Sequence, residues 1–597
     1  MVEKDIEAST QPVITEQVIV IDKDPSCEKK EEWEGLSKRD FLTPFFSNID
    51  DEVFIVKNLP EEVAGALLSR YSRSTKPLRD LFFDEYVSEI LSPQKNRSWD
   101  ALSVEEKDRR MQERSLFVQY IKDYLVNGNV HDRLNITKGR EFFRKWLIEY
   151  GDESIAEQTG FHLCVEGASQ MVVNAIETQR IGLGYIEKSS RYVAFDKLDE
   201  NENFQYSIPE ELEDLGLKER YIEIMNKLFG FYSSISHPYL EYIKGKYPKN
   251  EDEDDRAFES SRSGKRFDDL RDILPFGTQT NVAISGNARA FEYLIRRMMS
   301  YPILEVREYG EKIYKEFLDI APSFVERIAT PKGRAQREYY KNIHFSKGNH
   351  ETEEISIPDI NNVSLISYDK DAEEKVVASL LFENNTEGLP YSYYLELVNG
   401  MSNEERVKIL DGIFIQRGDN REAGRFFKIP RSFEMSGNYT FDIQSRGGDF
   451  RDLLRHRMTT IQRGLFTMLN GYEIDSDLQN SEFIEPLLGV FREVQEFYSI
   501  LKEKDPYIAQ FVVPFGFLQR WSLTMNARET CYMLELRSGS QGRESYREIV
   551  QKIWEQVKGV HPMLFKRILI DNNRYSLARR ASEIKISEKL NSINNNP

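Results

Sequence analysis

The spacing of apolar residues along the chain predicts mixed helices and strands in two successive regions. In the first region, helices are predicted from Glu61 and over Phe82–Leu91, Ser115–Leu125 and Ala168–Arg180, with a strand over Phe161–Val165. Asn287-Ala288-Arg289 then opens a strongly amphipathic helix. The residues Phe291, Leu294, Ile295 and Met298 follow it at the spacing of one buried helical face.

The second region repeats this order of elements. Helices are predicted over Ala372–Phe382 and Glu404–Ile415, and a strand is predicted at Tyr439, Phe441 and Ile443. Gly447-Gly448 leads to Asp449, a predicted N-cap, and the helix beginning at Phe450 is expected to carry Arg455-His456-Arg457. Asn526-Ala527-Arg528 again opens a helix, which runs to Arg537.

This repetition predicts an internal duplication of a whole domain. The two Asn-Ala-Arg segments lie about 240 residues apart, a period too long for a solenoid. With 597 residues the chain is also too long for one ordinary core. The predicted organisation is a flexible acidic tail over 1–50, a first domain over 51–345, a linker over 346–361 and a second domain over 362–597. Within the tail, Val13–Ile21 has an alternative interpretation as a docking strand.

Composition and charge exclude several classes of protein. Hydrophobic residues make up 40% of the chain, enough for packed cores, and no apolar run has the length of a membrane span. The net charge of −19 argues against general nucleic-acid binding, so an anionic ligand has to be met by particular arginines. The acidic run Glu251–Asp255 is predicted to be a solvated surface segment.

The three cysteines, Cys27, Cys164 and Cys531, have no metal-ligand spacing, and no disulfide framework is expected. Cys164 and Cys531 are predicted to be small core residues. No export signal precedes the first domain, and a reducing cytoplasm is the expected location.

Two basic or mixed-charge motifs concentrate the candidate chemistry. Arg455-His456-Arg457 groups hydrogen-bond donors suited to an anion, and Glu187-Lys188-Ser189-Ser190-Arg191-Tyr192 combines a carboxylate, hydroxyls and an arginine. Each also has a purely structural interpretation. In that interpretation the arginines near a helix end only interact favourably with the negative end of the helix dipole, and His456 is a histidine of the core. Glu187 then forms only a surface ion pair, and the asparagines of the two Asn-Ala-Arg segments act only as helix caps.

Taken together, these motifs resemble the flavin-dependent thymidylate synthases, whose signature reads R-H-R-x-x-S-x-N-E-x-S-x-R-Y. The first region matches the end of this signature with Glu187, Ser189, Arg191 and Tyr192, but Gln179-Arg180-Ile181 stands where R-H-R is expected. The second region keeps Arg455-His456-Arg457 and Thr460. Its signature ends differently, with Arg463, Leu465 and Thr467 replacing E-x-S-x-R.

A later motif of the family, N-A-R followed by an arginine on the same helix, is present in both regions. It corresponds to Asn287, Arg289 and Arg297 in the first region, where Arg297 needs a one-residue gap, and to Asn526, Arg528 and Arg537 in the second. Arg271, four residues before Pro275, matches a nucleotide-binding arginine of the family, whereas Gln510 before Pro514 does not.

The resemblance implies an α+β fold with two tandem domains, each a helical bundle with an antiparallel sheet. Family members are homotetramers with sites shared between subunits, so two tandem chains are expected to form a pseudo-tetramer. One composite site is expected to join the two motif halves, and the reciprocal site is expected to be dead. The implied reaction methylates dUMP with methylenetetrahydrofolate and NADPH on an FAD cofactor, without a metal.

Roles follow residue by residue from the same resemblance. The residues implied to bind the nucleotide are Glu187, Ser189, Ser190, Arg191, Arg271 and Arg455. Those implied to hold FAD are Arg455, His456, Arg457, Asn287, Arg289, Asn526 and Arg528. Arg297 and Arg537 are the implied catalytic cations, because negative charge develops on the pyrimidine ring.

Two other functions compete with this one. A catalytically inactive relative that binds flavin or a nucleotide for regulation or assembly is favoured by the loss of R-H-R in the first region and by Gln510. A structural protein that interacts with nucleic acid is disfavoured by the acidic balance. A flavin absorption band of the purified protein that NADPH bleaches would support the enzyme, and colourless protein that does not take up added FAD would count against it.

Overall fold

The structure is a computed structural model that describes residues 33, 35–96, 99–128, 136–199, 202–345, 362–419, 421 and 426–595. The helices up to residue 345 are α1 (Lys38–Leu42), α2 (Glu61–Tyr71), α3 (Leu78–Phe82), α4 (Ser88–Leu91), α5 (Val104–Asn127), α6 (Ile136–Phe143), α7 (Gln170–Glu177), α8 (Glu211–Asp214), α9 (Lys218–Lys246), α10 (Asp255–Leu270), α11 (Ala288–Met298), α12 (Leu304–Ile320), α13 (Pro322–Val325) and α14 (Pro331–His344). The helices after residue 361 are α15 (Ala372–Glu383), α16 (Tyr391–Asn399), α17 (Asn403–Arg417), α18 (Gly447–Leu453), α19 (Ser476–Gln479), α20 (Ile484–Lys504), α21 (Pro506–Ala509), α22 (Ala527–Arg537), α23 (Glu544–Val560), α24 (Pro562–Phe565) and α25 (Arg580–Asn595). The strands are β1 (Val53–Val56), β2 (Gly160–Ser169), β3 (Leu183–Glu187), β4 (Gln279–Asn287), β5 (Val363–Ser367), β6 (Tyr439–Arg446), β7 (Thr460–Arg463) and β8 (Leu518–Met525).

The described residues of segments 1–42 and 83–129 form a small compact unit. Phe41 on α1 is fully buried and stacks on Phe117 of α5, with ring centroids 6.0 Å apart. In the larger unit, Phe46 is buried and forms a β-bridge with Val56. The predicted flexible tail over 1–50 is therefore wrong for residues 38–50. The strand predicted at Val13–Ile21 and the linker predicted at 346–361 lie outside the described residues.

The larger unit contains two four-stranded antiparallel sheets with equivalent topology. The strand order is β1-β2-β4-β3 in the first sheet and β5-β6-β8-β7 in the second. In the first sheet β2 pairs with β4, so that Leu163 lies opposite Ile284. In the second sheet the equivalent strands β6 and β8 pair, so that Phe441 lies opposite Leu523. The α+β class with two antiparallel sheets is confirmed.

The two Asn-Ala-Arg segments are helix starts, as predicted. The Asn287 side chain accepts a hydrogen bond from Ala290 N at 2.9 Å, and the Asn526 side chain accepts one from Glu529 N at 2.8 Å. Each asparagine satisfies a backbone N–H group that has no partner within its helix.

One continuous hydrophobic core links the two halves, which are residues 43–345 (without the small unit) and 362–595. At their junction, Phe276 N donates to Val513 O at 3.0 Å, and Phe515 N donates to Leu274 O at 2.9 Å. Phe276 also stacks on Phe466 with ring centroids 3.6 Å apart. The Pro275 and Pro514 segments thus pair with each other almost symmetrically, as two copies of one surface would.

Two predicted helix boundaries in the motif regions are wrong. The helix predicted over Ala168–Arg180 is α7, which starts only at Gln170. The preceding strand β2 runs to Ser169, and the hydroxyl of Ser169 caps the N-terminus of α7. It ends at Glu177. Arg180 lies in the following turn with a positive φ of 60°.

The helix predicted to begin at Phe450 and carry the basic triplet is also different. Helix α18 already begins at Gly447, Asp449 lies inside it and not at its N-cap, and it ends at Leu453. Arg455-His456-Arg457 therefore lies in a turn between α18 and β7, where its side chains can point in different directions.

The acidic run Glu251–Asp255 is not simply a solvated surface segment. The Glu253 side chain is fully buried in an ion pair with Arg262, and Asp254 caps α10. The two described cysteines, Cys164 and Cys531, are fully buried, as predicted for core residues. Among the helices that the structure describes, none combines the length and apolar character needed to cross a membrane.

Candidate functional site

The carboxylate of Glu187 lies at the end of edge strand β3 and is almost completely buried. Its Oε1 accepts hydrogen bonds from Arg451 at 2.6 Å and from Gln170 at 2.7 Å, and its Oε2 forms an ion pair with Arg455. Burial opposes ionisation of Glu187, but the two arginines overcome it and hold the pKa of Glu187 below its ordinary value. Both arginines belong to the second half, so this ion-pair cluster joins the two motif halves.

The turn Arg455-His456-Arg457 reaches three different targets. Arg455 pairs with Glu187 and lies 3.1 Å from Glu177, both in the first half. Arg457 Nε donates to the carbonyl of Leu183 on β3 at 2.9 Å. Two of the three side chains therefore reach across to β3 or α7, and the third stays in the second half.

His456 is held in one neutral tautomer by its two neighbours. Arg537 Nε lies 2.9 Å from His456 Nε2 and can only donate, so Nε2 has to accept. The other nitrogen, Nδ1, then carries the proton and donates to Glu529 at 2.8 Å. Burial and the nearby Arg537 charge lower the pKa of His456 in spite of Glu529, which favours the same neutral form.

The predicted phosphate-binding residues lie close to this cluster, but their charges are already paired. Arg191 donates to Asp268 at 2.6 and 3.1 Å, and Arg271 donates to Asp452 at 2.7 Å. Burial opposes ionisation of both aspartates, yet the arginines hold their pKa values well below the usual range. Ser189 Oγ accepts from the backbone N–H of Arg191 at 3.3 Å.

Ser190 beside it is buried. Arg271 Nε is buried without a hydrogen-bond partner, so this side chain keeps one free donor. The predicted nucleotide residues are thus brought together, but in a region whose positive charge is largely compensated.

A groove runs along α22 beside the triplet. It consists of two adjoining cavities of about 260 and 370 Å³ that share Met458, Glu529 and Tyr532. The predicted cofactor and catalytic residues that line it are Arg455, His456, Arg457, Asn526, Arg528 and Arg537.

The charges of this groove favour an anion at one end. Arg457 hydrogen-bonds only a backbone carbonyl and Arg537 only a histidine, so neither cation has a carboxylate partner among the described residues. Arg528, at the other end, pairs with Glu434 and donates to the carbonyl of Ile429 at 3.0 Å. The ring of Tyr532, 44% exposed, forms part of the groove wall, with Lys428 Nζ 5.3 Å from its centroid and the His456 ring edge-on to it.

The corresponding first-half residues do not contribute to this groove. Arg289 is half exposed and pairs with Glu157 at 2.7 Å on the surface, and the Asn287 side chain is used as a cap. Arg297 donates to the carbonyl of Ala175 at the end of α7 and lines a separate cavity. The structure therefore brings together the second-half residues of the motif, and leaves Asn287, Arg289 and Arg297 elsewhere.

Sequence reasoning missed the carboxylates that organise the site: Glu177, Asp268, Asp452 and Glu529. Glu177, at the last turn of α7, is buried, and burial together with the Glu187 charge raises its pKa to about 7, in spite of Arg455. For Glu177 the local signal is an acidic residue in an otherwise apolar helical segment, directly after Ala175-Ile176. Asp268, Asp452 and Glu529 stand among other charged residues, which gives no such signal.

The sequence comparisons agree with the duplicated architecture. The family model described as thymidylate synthase complementing protein matches the chain twice, over residues 103–323 and 364–563. A protein named UPF0159 from Chlamydia muridarum is 31% identical over 92% of this chain and 97% of its own length. A protein of the same name from Thermoplasma acidophilum is 30% identical over 77% of this chain and 94% of its own.

A more distant relative carries the name flavin-dependent thymidylate synthase. This protein, from Pyrococcus furiosus, is 26% identical over 30% of this chain and 63% of its own length. The repeated sheets and the two-part motif define a tandem protein built from two copies of one α+β domain. The chain belongs to the thymidylate synthase complementing protein family, and the predicted tandem duplication is confirmed.

Proposed function

We propose that this chain is a flavin-dependent thymidylate synthase that converts dUMP to dTMP with methylenetetrahydrofolate and NADPH. The observation that carries the proposal is the ion pair between Arg455 and Glu187, which joins the two incomplete motif halves in one folded unit. One copy of the domain then supplies the residues that the other copy lacks.

The groove along α22 suits FAD in its chemistry. Arg457, which has no carboxylate partner among the described residues, matches the diphosphate of the cofactor, and Tyr532 offers a ring for a flat heterocycle. Arg455 also lines this groove, and its buried Nε has no hydrogen-bond partner. When bound, FAD supplies hydride chemistry, and the protein supplies position and charge.

The chain's own residues would then hold and polarise the nucleotide. The donors we assign to it are Arg271 Nε, which has no hydrogen-bond partner, and the Ser189 hydroxyl. Arg537 keeps its terminal nitrogens beside the groove and is the cation we assign to charge developing on the pyrimidine ring. His456, neutral between Arg537 and Glu529, positions that arginine.

A second candidate is a catalytically inactive relative that binds flavin. Asp268 and Asp452 favour it, because these fixed carboxylates occupy the arginines that would bind a phosphate. A nucleotide dianion placed there would meet two like charges.

The test uses the purified full-length protein. We expect a flavin absorption band that NADPH bleaches, and tritium release from 5-tritiated dUMP when methylenetetrahydrofolate is present. A flavin band without tritium release would support the inactive relative, and protein that stays colourless after incubation with FAD would refute both.

Two matched variants locate the cofactor. Arg528→Ala should lower FAD affinity about tenfold or more, because it removes a charged hydrogen-bond donor from the groove. Arg289→Ala changes the equivalent Asn-Ala-Arg position of the first half, which lies on the surface, and should leave FAD affinity unchanged. Equal losses in both variants would contradict a single groove along α22.

The family resemblance also leads us to propose that two chains associate into a pseudo-tetramer. Light scattering should then give twice the mass of one chain. A monomeric mass at micromolar concentration would overturn this association.

A further inference from the structure

The carboxylate of Asp268 on α10 is shared by two arginines that come from opposite halves of the chain. Arg191, from the first half, donates to it at 2.6 and 3.1 Å, and Arg579, from the second half, donates to each of its oxygens at 3.0 Å. Burial opposes ionisation of Asp268, but Arg191 and Arg579 hold its pKa well below the usual range. Two guanidinium groups therefore face one carboxylate, and this group of three side chains has a net positive charge.

The side chain of Arg579 packs directly against the segment that contains Arg191. Its guanidinium donates to the carbonyl of Arg191 at 3.2 Å and lies 4.7 Å from the centroid of the Tyr192 ring. Gly264 on α10 leaves room for it, because a Cβ atom at this glycine would lie 3.0 Å from Arg579 Cδ and Nη1. Arg579 is 6% exposed, and its Nε is buried without a hydrogen-bond partner. The second half thus supplies a buried cation to the motif of the first half.

The C-terminal segment, residues 571–595, holds Arg579 in this position. It ends in α25, which packs along α10. Arg580, directly after Arg579, donates to the buried carboxylate of Glu253 at 3.1 Å. Arg580 therefore fastens the segment to the first half, while Arg579 reaches Asp268, so that the two roles can be tested separately.

The charge of Arg579 changes what the site can bind. A pair of Arg191 and Asp268 alone is neutral, and its carboxylate repels a phosphate dianion as strongly as its guanidinium attracts one. A second guanidinium on the same carboxylate compensates that repulsion. Arg191 then keeps a positive charge that a phosphate can meet.

We propose that Arg579 is a positioning residue of the nucleotide site, which compensates the charge of Asp268 and so allows Arg191 to bind the phosphate of dUMP. This inference rests on the proposed function, in which Arg191 has that role. Arg579 itself lies beyond the second match to the family, which ends at residue 563. The C-terminal segment thereby determines how tightly the site in the first half binds its nucleotide.

Calorimetric titration of the full-length protein with dUMP tests this role. The wild-type protein should bind dUMP, and Arg579→Ala should weaken the binding at least about tenfold, because one positive charge close to the phosphate is lost. Arg579→Lys keeps the charge and should retain most of the affinity. The matched control is Arg580→Ala, which loses the contact with Glu253 but leaves the charge at Asp268 in place, and should bind like the wild type.

A double variant separates the effect of charge from a loss of structure. Adding Asp268→Asn to Arg579→Ala removes the carboxylate that then compensates Arg191, so that it should restore much of the affinity for dUMP. Deoxyuridine, which has no phosphate, should bind equally to the wild type and to Arg579→Ala. A disturbed fold would weaken the binding of both ligands, and Asp268→Asn would not restore it.

Equal affinity of the wild type and Arg579→Ala for dUMP would overturn the inference and leave the proposed function intact. A loss that Asp268→Asn does not restore, or an equal loss in Arg580→Ala, would overturn it in the same way. The expected losses and their restoration, found in a protein that releases no tritium from dUMP, would support the role of Arg579 and refute the synthase. A wild-type protein that does not bind dUMP at millimolar concentration would overturn both.

Discussion

At the scale of single residues, Glu187 shows how the two halves depend on each other. Its carboxylate is buried in the first half, and both of its arginine partners, Arg451 and Arg455, come from the second. Removing one member of a buried ion-pair cluster leaves the others without compensation.

We therefore expect Glu187→Gln to lower the free energy of unfolding by roughly 2–3 kcal/mol, somewhat less than for a fully buried pair because Arg455 is partly exposed. Urea denaturation measures this loss. Glu157→Gln, which removes the exposed partner of Arg289, should give almost no change. Similar losses in both variants would contradict a structural role of the Glu187 cluster.

Glu177 gives stability a pH dependence. Its pKa is raised by burial from 4.5 to about 7, so the folded state binds more protons than the unfolded state between these values. The contribution of Glu177 is then fully present below pH 4.5 and is lost as the pH rises through 7. Glu177→Gln removes the cost of the buried charge and should stabilise the protein at pH 8 by roughly 2–3 kcal/mol.

Thermal unfolding of both proteins at several pH values measures this effect. The advantage of Glu177→Gln should shrink steadily towards pH 5. An advantage that stays constant from pH 5 to pH 8 would show that Glu177 does not titrate in this range.

The residues of the site were predictable only in part. Asn287 and Asn526 could be identified as caps because capping depends on neighbours within one helical turn. The partner of Arg191 could not, since tertiary folding brings Asp268 to it from 77 residues away. That Arg455 and Glu187 share one site followed from the family resemblance and not from any local pattern. An arginine can bind an anionic ligand only if no carboxylate of the protein already pairs with it. The sequence around the arginine does not show whether such a carboxylate is present.

At the scale of elements, the tight contact between β3 and β4 fixes the position of Glu187. A side chain at Gly286 would overlap the Gly182 carbonyl and the Leu183 side chain. In contrast, a side chain at Gly184 on the same pair of strands would meet its nearest neighbours at an ordinary 3.6 Å.

Gly286→Ala should accordingly lower the free energy of unfolding by roughly 1–3 kcal/mol, the usual cost of overpacking. The Gly184→Ala variant should differ little from the wild type. Chemical denaturation of the two variants measures their free energies of unfolding. If Gly184→Ala lowered this free energy as much as Gly286→Ala, the close contact at Gly286 would not be the cause of the destabilisation.

Helices and strands themselves followed the apolar pattern well, and most errors were at their ends. The strand β2 extends to Ser169 because its pairing with β4 continues past an irregularity to Gln279, a contact that no local pattern contains. Local sequence predicts a helix at Arg455–Arg457, whereas this segment is a turn in which Arg455 pairs with Glu187 and Arg457 donates to the Leu183 carbonyl, both in the first half.

At the scale of the whole molecule, the two halves share one core and a hydrogen-bonded junction. We expect residues 1–345 and 362–597, expressed as separate chains in one cell, to purify together in equal amounts when only one carries a tag. Each piece alone should be poorly soluble because the faces around Phe276 and Phe466 are buried in the intact chain. Folded pieces that do not bind each other would contradict this expectation.

The junction of Pro275 with Pro514 has an evolutionary consequence. If two identical chains met there, every mutation would appear on both sides of the axis at once, and residues near it would face their own copies. Covalent fusion removes that constraint, since each side can mutate alone. Arg271 and Gln510, which occupy equivalent places four residues before these prolines, are different amino acids in this chain. A symmetric ancestor encoded by a single gene could not have separated them before that gene was duplicated.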